Sequence, residues 1–133
     1  MREFEQFLSI PFKHNGRDMD GADCWGLVQL VYRCVLGVSL PGYEDTSSED
    51  VRAVSRLMQR EKQNWDLVTV PRRMDVVMME GASEGHWLMW HVGVMVDSVS
   101  VMHIESEMVH PVVVALTHMS VSHRVREFWR HAS

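Results

Sequence analysis

Apolar positions recur with two different periods along this chain, and the change falls near Trp65. Before it the spacing is helical. Leu27, Leu30, Val31, Cys34 and Val35 follow the three-and-four spacing of one helix face. Asp23, just upstream, is a residue type that caps a helix N-terminus, and Gly37, followed by Leu40-Pro41-Gly42, is a stop. Val51, Val54, Leu57 and Met58 line a second helix, from Ser47 or Ser48 through about Gln63. Ser47 with Asp50 resembles a capping box at its start. A short amphipathic segment, Arg2 to Leu8, ends before Ile10-Pro11, and a loop rich in Gly and Asp, KHNGRDMDGAD, follows it.

After Trp65 the pattern is that of strands. WDLVTV, DVVMME, WHVGVMVD, SVMHIE and PVVVALTHM are rich in Val and Met and are separated by turn residues. The final HRVREFWRH is compatible with a last strand or a short helix. Helices first and strands afterward predict an α+β domain with a mainly antiparallel sheet.

Composition narrows the classes. At 133 residues, with no repeat, low-complexity tract or linker, the chain is expected to form a single domain, 1–133. A hydrophobic content of 46% and a charged content of 23% are ordinary for a globular protein. No apolar run reaches membrane-spanning length, and MREFEQFLSIPFKHN carries no secretory signal pattern. A net charge of −5 argues against a general phosphate-backbone binder, so neither nucleic acid nor membrane is expected as a partner. The eleven methionines read as core filling. Two cysteines ten positions apart on one helix would lie about 15 Å apart along its axis, too far for a disulfide. Both are expected to be free thiols, as in a reducing compartment.

The two thiols have opposite expected reactivity. Cys24 opens the helix, where the positive dipole end and backbone N–H groups favour thiolate. Cys34 lies mid-helix among Val and Leu, where burial would leave it inert. A cysteine nucleophile needs a base, and the base an orienting partner. Of eight histidines, the strand pattern singles out His91 and His103. In HVGVMV, His91, Gly93 and Met95 share one face, with Val92, Val94 and Val96 on the core side. Gly93 leaves room for another element to approach closely. An odd-length loop centred on Asp97 would set His91 facing His103 on adjacent strands, whereas an even-length loop would put them on opposite faces.

Zinc is a rival for the same three residues, Cys24, His91 and His103, because their side chains are of zinc-ligand type. Against it, the chain has no CxxC or HExxH pair, and a cysteine at a helix start favours the nucleophile. DMDGAD mimics a calcium loop, but its glycine comes two positions early, and an Asp-rich turn is the simpler account. Neither metal nor cofactor is therefore expected.

IPFKHNGRDMDGADCWGLVQLVY resembles the nucleophile motif of the NlpC family of papain-like cysteine peptidases. HVGVMVDSVSVMH is similar to that family's second motif, and PRRMDVVMM to the strand preceding it, in family order. The resemblance implies a papain-like NlpC-type α+β fold, with N-terminal helices packed on the sheet. It implies Cys24 as nucleophile, His91 as base and acid, and His103 as orienting residue. The implied reaction is hydrolysis of peptidoglycan stem peptides in the bacterial cell wall, between γ-D-glutamate and a diamino acid.

Three positions depart from the family pattern. Phe12 replaces a common Tyr, Trp25 a common Ser beside the thiol, and Met74 a Gly before Asp75. Phe12 and Trp25 bear on substrate contacts. Asp23 reads as a cap or loop anchor, although the resemblance places it near the substrate amine. The form GRD…DCWGLV…VY…GVSLPGY is similar to the phage-tail branch of the family. That likeness implies a virion component, present in host cytoplasm during assembly, with other tail-tip proteins as partners. A different class stays open: a tail-tip assembly protein that keeps the fold with weak or no hydrolysis. The loop EGASEGHWLMWH suits a substrate wall or a protein interface, while core packing also accounts for Trp87 or Trp90.

Overall fold

A computed structural model of the chain describes residues 2–40, 64–80, 89–105 and 108–132. The second expected helix, 47–63, and Trp87 lie outside these residues.

The N-terminal part is assembled around buried aromatics. Helix α1, Arg2–Glu5, buries Phe4, and Phe7 and Ile10 follow it into the same core. The Gly/Asp-rich loop folds as a small antiparallel hairpin, β1 (Arg17–Asp18) with β2 (Gly21–Ala22). At its tip the Asp20 amide donates to Asp18 Oδ1 at 2.9 Å, so the aspartates serve a turn. Helix α2, Cys24–Val31, starts at once after β2 with Asp23 as its cap, and Gly26 N donates to Asp23 Oδ1 at 2.8 Å.

After Val31 the helix widens to a π-helical turn, Tyr32–Leu36, and stops at Gly37 in the left-handed region, φ 68°. The change of winding corrects one expectation. Cys34 is exposed rather than core, because the wider turn carries it off the Leu27–Leu30–Val31 face as the helix leaves the interior. Tyr32 takes the buried place and donates its hydroxyl to the Met74 carbonyl.

The strand half forms one six-stranded antiparallel sheet. Its members are β3 (Trp65–Val68), β4 (Val76–Glu80), β5 (Met89–Met95), β6 (Ser100–His103), β7 (Val112–Ala115) and β8 (Val125–His131). The spatial order is β3-β8-β4-β5-β6-β7, so the last segment is a strand inserted between two earlier ones. Both faces of the sheet are covered. Val76, Met78, Val92, Val94, Val96, Met102 and Ile104 pack with α2 in the larger core. Val77, Met79, Met95, Val101 and Val121 form a second cluster, so the face shared by His91 and Met95 is buried as well. Among the described residues, no helix is long and apolar enough to cross a membrane.

Met74, where the family pattern has Gly, takes φ 78°, a conformation costing an L side chain about 1–2 kcal/mol. It is buried, and its backbone is held by Met95 O and the Tyr32 hydroxyl.

Candidate active site

The turn after β5 sets the geometry. Asp97 Oδ1 accepts the amides of Val99 and Ser100, both at 2.8 Å, closing a loop of odd length centred on Ser98. The β5–β6 register is Val94↔Met102 and Met95↔Val101. His91 and His103 therefore share a face, as an odd loop requires, but they are diagonal rather than opposite. Extended, this register pairs His103 with Gly93 and His91 with Glu105. A Cβ on Gly93 would stand 3.1 Å from His103 Cβ and 2.9 Å from Met102 O, so the glycine makes room for the second imidazole. The rings meet, with His91 Nε2 and His103 Nδ1 2.8 Å apart.

Cys24 reaches this strand from the other element. It is the first residue of α2, which packs on β5, and the backbone N–H groups of Val92 and Trp25 are placed to favour its thiolate. Val92 is the residue after His91. Cys24, His91 and His103 thus stand on adjoining parts of one helix start and one hairpin. They are almost wholly covered, with exposures of 3%, 1% and 0%.

Burial dominates their charge. It pushes the Cys24 thiol up to about 12, helped by Asp23 and Glu105, against the pull of the two amides. The expectation that the helix start favours a thiolate meets an opposing effect: removal from water outweighs the pull of the two amides. Burial likewise brings His91 down to about 3 and His103 to about 4, although Glu105 opposes both shifts. At rest, thiol and imidazoles are uncharged.

Two residues not singled out from the sequence complete the cluster. Glu105 Oε1 lies 3.8 Å from both His91 Nε2 and His103 Nδ1. Arg124, just before β8, grips that carboxylate with both arms, at 2.8 and 2.7 Å, and holds it well below the usual carboxylate range against the opposing pull of burial. Glu105 was legible in principle, two residues after His103 on the same alternating face. Arg124 had no local signal.

The same cluster bears on metal ligation. Among the described residues, the ligand-type atoms that gather within 4.8 Å belong to His91, His103 and Glu105, without Cys24. The imidazoles bond each other and Arg124 occupies both carboxylate oxygens, so the set is satisfied internally and does not fit a cation.

The remaining candidates sit around the thiol. Asp23 is buried and its carboxylate is filled: Oδ1 takes Gly26 N and, at 2.5 Å, Arg17 Nη1, while Oδ2 takes Asn15 N at 3.1 Å. This is the anchoring role. Trp25 is packed inside the main core rather than presented at the surface. Phe12 is half-buried, bridges Ala22 through its backbone and meets the His14 ring edge-on at 4.9 Å.

Similarity to known proteins bears on the family and the fold. The profile of the NlpC/P60 family matches residues 9–130. No curated protein matches the chain. Among solved structures, one neighbour is a Staphylococcus aureus protein described as similar to lipoprotein, of the NLP/P60 family. It superposes with a TM-score of 0.69 at 17% identity over 100% of this chain and 40% of its own. This chain thus spans well under half of that relative. A second is the NlpC/p60 domain of the peptidoglycan hydrolase SagA, with a TM-score of 0.64 and 19% identity over 97% of this chain and 92% of that domain. The fold is that of these papain-like domains, a short helix packed on a mainly antiparallel sheet.

Proposed function

Because the chain belongs to the NlpC/P60 family, we propose that it is a cysteine peptidase acting on the stem peptides of bacterial peptidoglycan. Cys24 serves as nucleophile, His91 as general base and acid, and His103 as the residue that orients His91. One observation carries the reading: a helix-start thiol lies against the strand residue next to a histidine whose Nε2 is bonded to a second histidine.

The chemistry follows from the uncharged resting state. With Nε2 engaged by His103, Nδ1 of His91 takes the proton as Cys24 Sγ attacks the carbonyl, so charge separates only as the transition state forms. The start of α2 offers its positive end and backbone N–H groups to the oxyanion. His91 then gives its proton to the leaving amine, and water activated by the same imidazole resolves the thioester.

The finer reading is cleavage between γ-D-glutamate and a diamino acid by a phage-tail component that helps open the host wall. The bond rests on the family resemblance, and the tail role on the form GRD…DCWGLV…VY…GVSLPGY. With Asp23 filled by Arg17, contact with a substrate amine is displaced from that carboxylate. Trp25 acts on specificity through the seat of the helix. The burial of all three catalytic candidates favours a second reading, a tail-tip assembly protein with weak hydrolysis. Digestion of purified peptidoglycan by wild type and Cys24→Ala separates them. Release of new amino termini by wild type, abolished in the variant, supports the peptidase. Equal release by both, or release by neither, overturns it.

A further inference from the structure

We infer that Glu105, clamped by Arg124, is a positioning residue that sets the basicity of the His91–His103 pair. This deepens the proposed peptidase reading and rests on it. The geometry is specific. A carboxylate oxygen stands 3.8 Å from each of the two ring nitrogens that share a proton, beside their hydrogen bond rather than at one end. Both imidazoles are buried, and the reaction must charge them.

Among the described residues, charged groups face the pair from three elements. Glu105 stands across from His91 on β6's extension, Arg124 comes from the start of β8, and Cys24 with its neighbour Asp23 comes from α2. Asp23 is already paired with Arg17. Glu105 is therefore placed to stabilise the imidazolium directly. Arg124 offsets that charge at rest, so the buried cluster carries no net charge until the thiol proton arrives. The same clamp fixes the carboxylate. Arg124 also donates to the Glu80 carbonyl at 2.9 Å, which ties the guanidinium to the end of β4.

The His103 Nε2 is buried without a hydrogen-bond partner among the described residues. If His91 accepts from Cys24 at Nδ1, its Nε2 carries the hydrogen donated to His103 Nδ1, and the His103 proton lies on that unpartnered Nε2. Among the described residues, no acceptor meets the far side of His103. The compensation comes from Glu105, at the near side.

The test is the pH profile of kcat/KM on a stem peptide, with thermal melting to verify the fold of each variant. Glu105→Gln removes the charge and keeps the shape. Its acid limb should move down by about one pH unit, and its plateau should fall about tenfold, with KM unchanged. Arg124→Met removes the offsetting charge and should move the limb upward. Shifts of opposite sign are not produced by loosened packing. Should Glu105→Gln fail to fold, Arg124→Met carries the test by its upward shift alone. An unmoved limb in the folded variants, or movement of both in one direction, overturns the inference while leaving the peptidase reading standing. If wild type cleaves nothing, the peptidase reading fails. Histidine NMR titration of wild type and Glu105→Gln then decides the Glu105 role, which requires a lower imidazole pKa in the variant and is overturned by an unchanged one.

Discussion

Among the described residues, two carboxylates are gripped on both oxygens by a single arginine, Glu105 by Arg124 and Asp75 by Arg130, and they differ in what the carboxylate faces. Asp75, just before β4, is 2% exposed and is filled on both oxygens. Arg130 donates Nε to Oδ1 at 2.9 Å and Nη2 to Oδ2 at 2.8 Å, and the Arg72 amide adds 2.7 Å. The titratable neighbour it perturbs, Tyr32, is driven upward, mainly by burial, and stays neutral at working pH. Glu105 is gripped as tightly but turns one oxygen toward two imidazoles that can take a charge. Chemically equivalent pairs thus diverge: one closes a turn, and the other confronts a proton. The identity of the third group, not the strength of the pair, decides the role.

The comparison can be attacked through stability. His91 and His103 have folded pKa values of about 3 and about 4, below the ordinary 6.5. As pH falls below 6.5 the unfolded chain takes protons that the folded one refuses, so stability is lost on acidification. Between pH 6.5 and 5 the two groups together should cost about 3 kcal/mol, somewhat less than the full 1.36 kcal/mol per pH unit per group because the unfolded imidazoles are already half protonated at pH 6.5. Urea titrations at the two pH values measure this, and a flat profile would mean the cluster is wetter than its burial implies. Asp75→Asn should cost about 2 kcal/mol, since a charge-assisted network is lost, while the acid slope and the activity per folded molecule stay as in wild type. Activity that changes with Asp75 would erase the distinction between the pairs. Met74→Gly tests the turn that Asp75 follows. Relief of the left-handed backbone, about 1 kcal/mol, is outweighed by lost burial of about 2 kcal/mol, so a net loss of about 1 kcal/mol is expected by denaturant titration.

Much of this was legible in the chain. The strand pattern marked β3 to β7 and left β8 open between strand and helix, the Asp23 cap and Gly37 stop were read correctly, and the parity argument for an odd loop placed His91 and His103 on one face. What failed was finer. A three-residue loop held by Asp97 moved the register by one pair, which no composition rule distinguishes. A π-turn displaced Cys34, because a regular helical phase was assumed through Leu36. The thiol's expected acidity failed for a different reason: a dipole is a local property, but desolvation depends on the whole fold that covers the residue. Arg124 was invisible because its partner lies far away in sequence and is reached only through the sheet order β4-β5-β6 beside β8.

The β5–β6 hairpin, residues 89–105, contributes His91, Gly93, His103 and Glu105, and its turn fixes all their mutual distances. Those four residues therefore form a cassette whose internal spacing survives any shift of the hairpin as a rigid body. A small slide of α2 over the sheet would change one separation, that between sulfur and strand, and leave the proton-handling part intact. Divergence in such a scaffold can reposition the nucleophile for a new substrate without rebuilding the base.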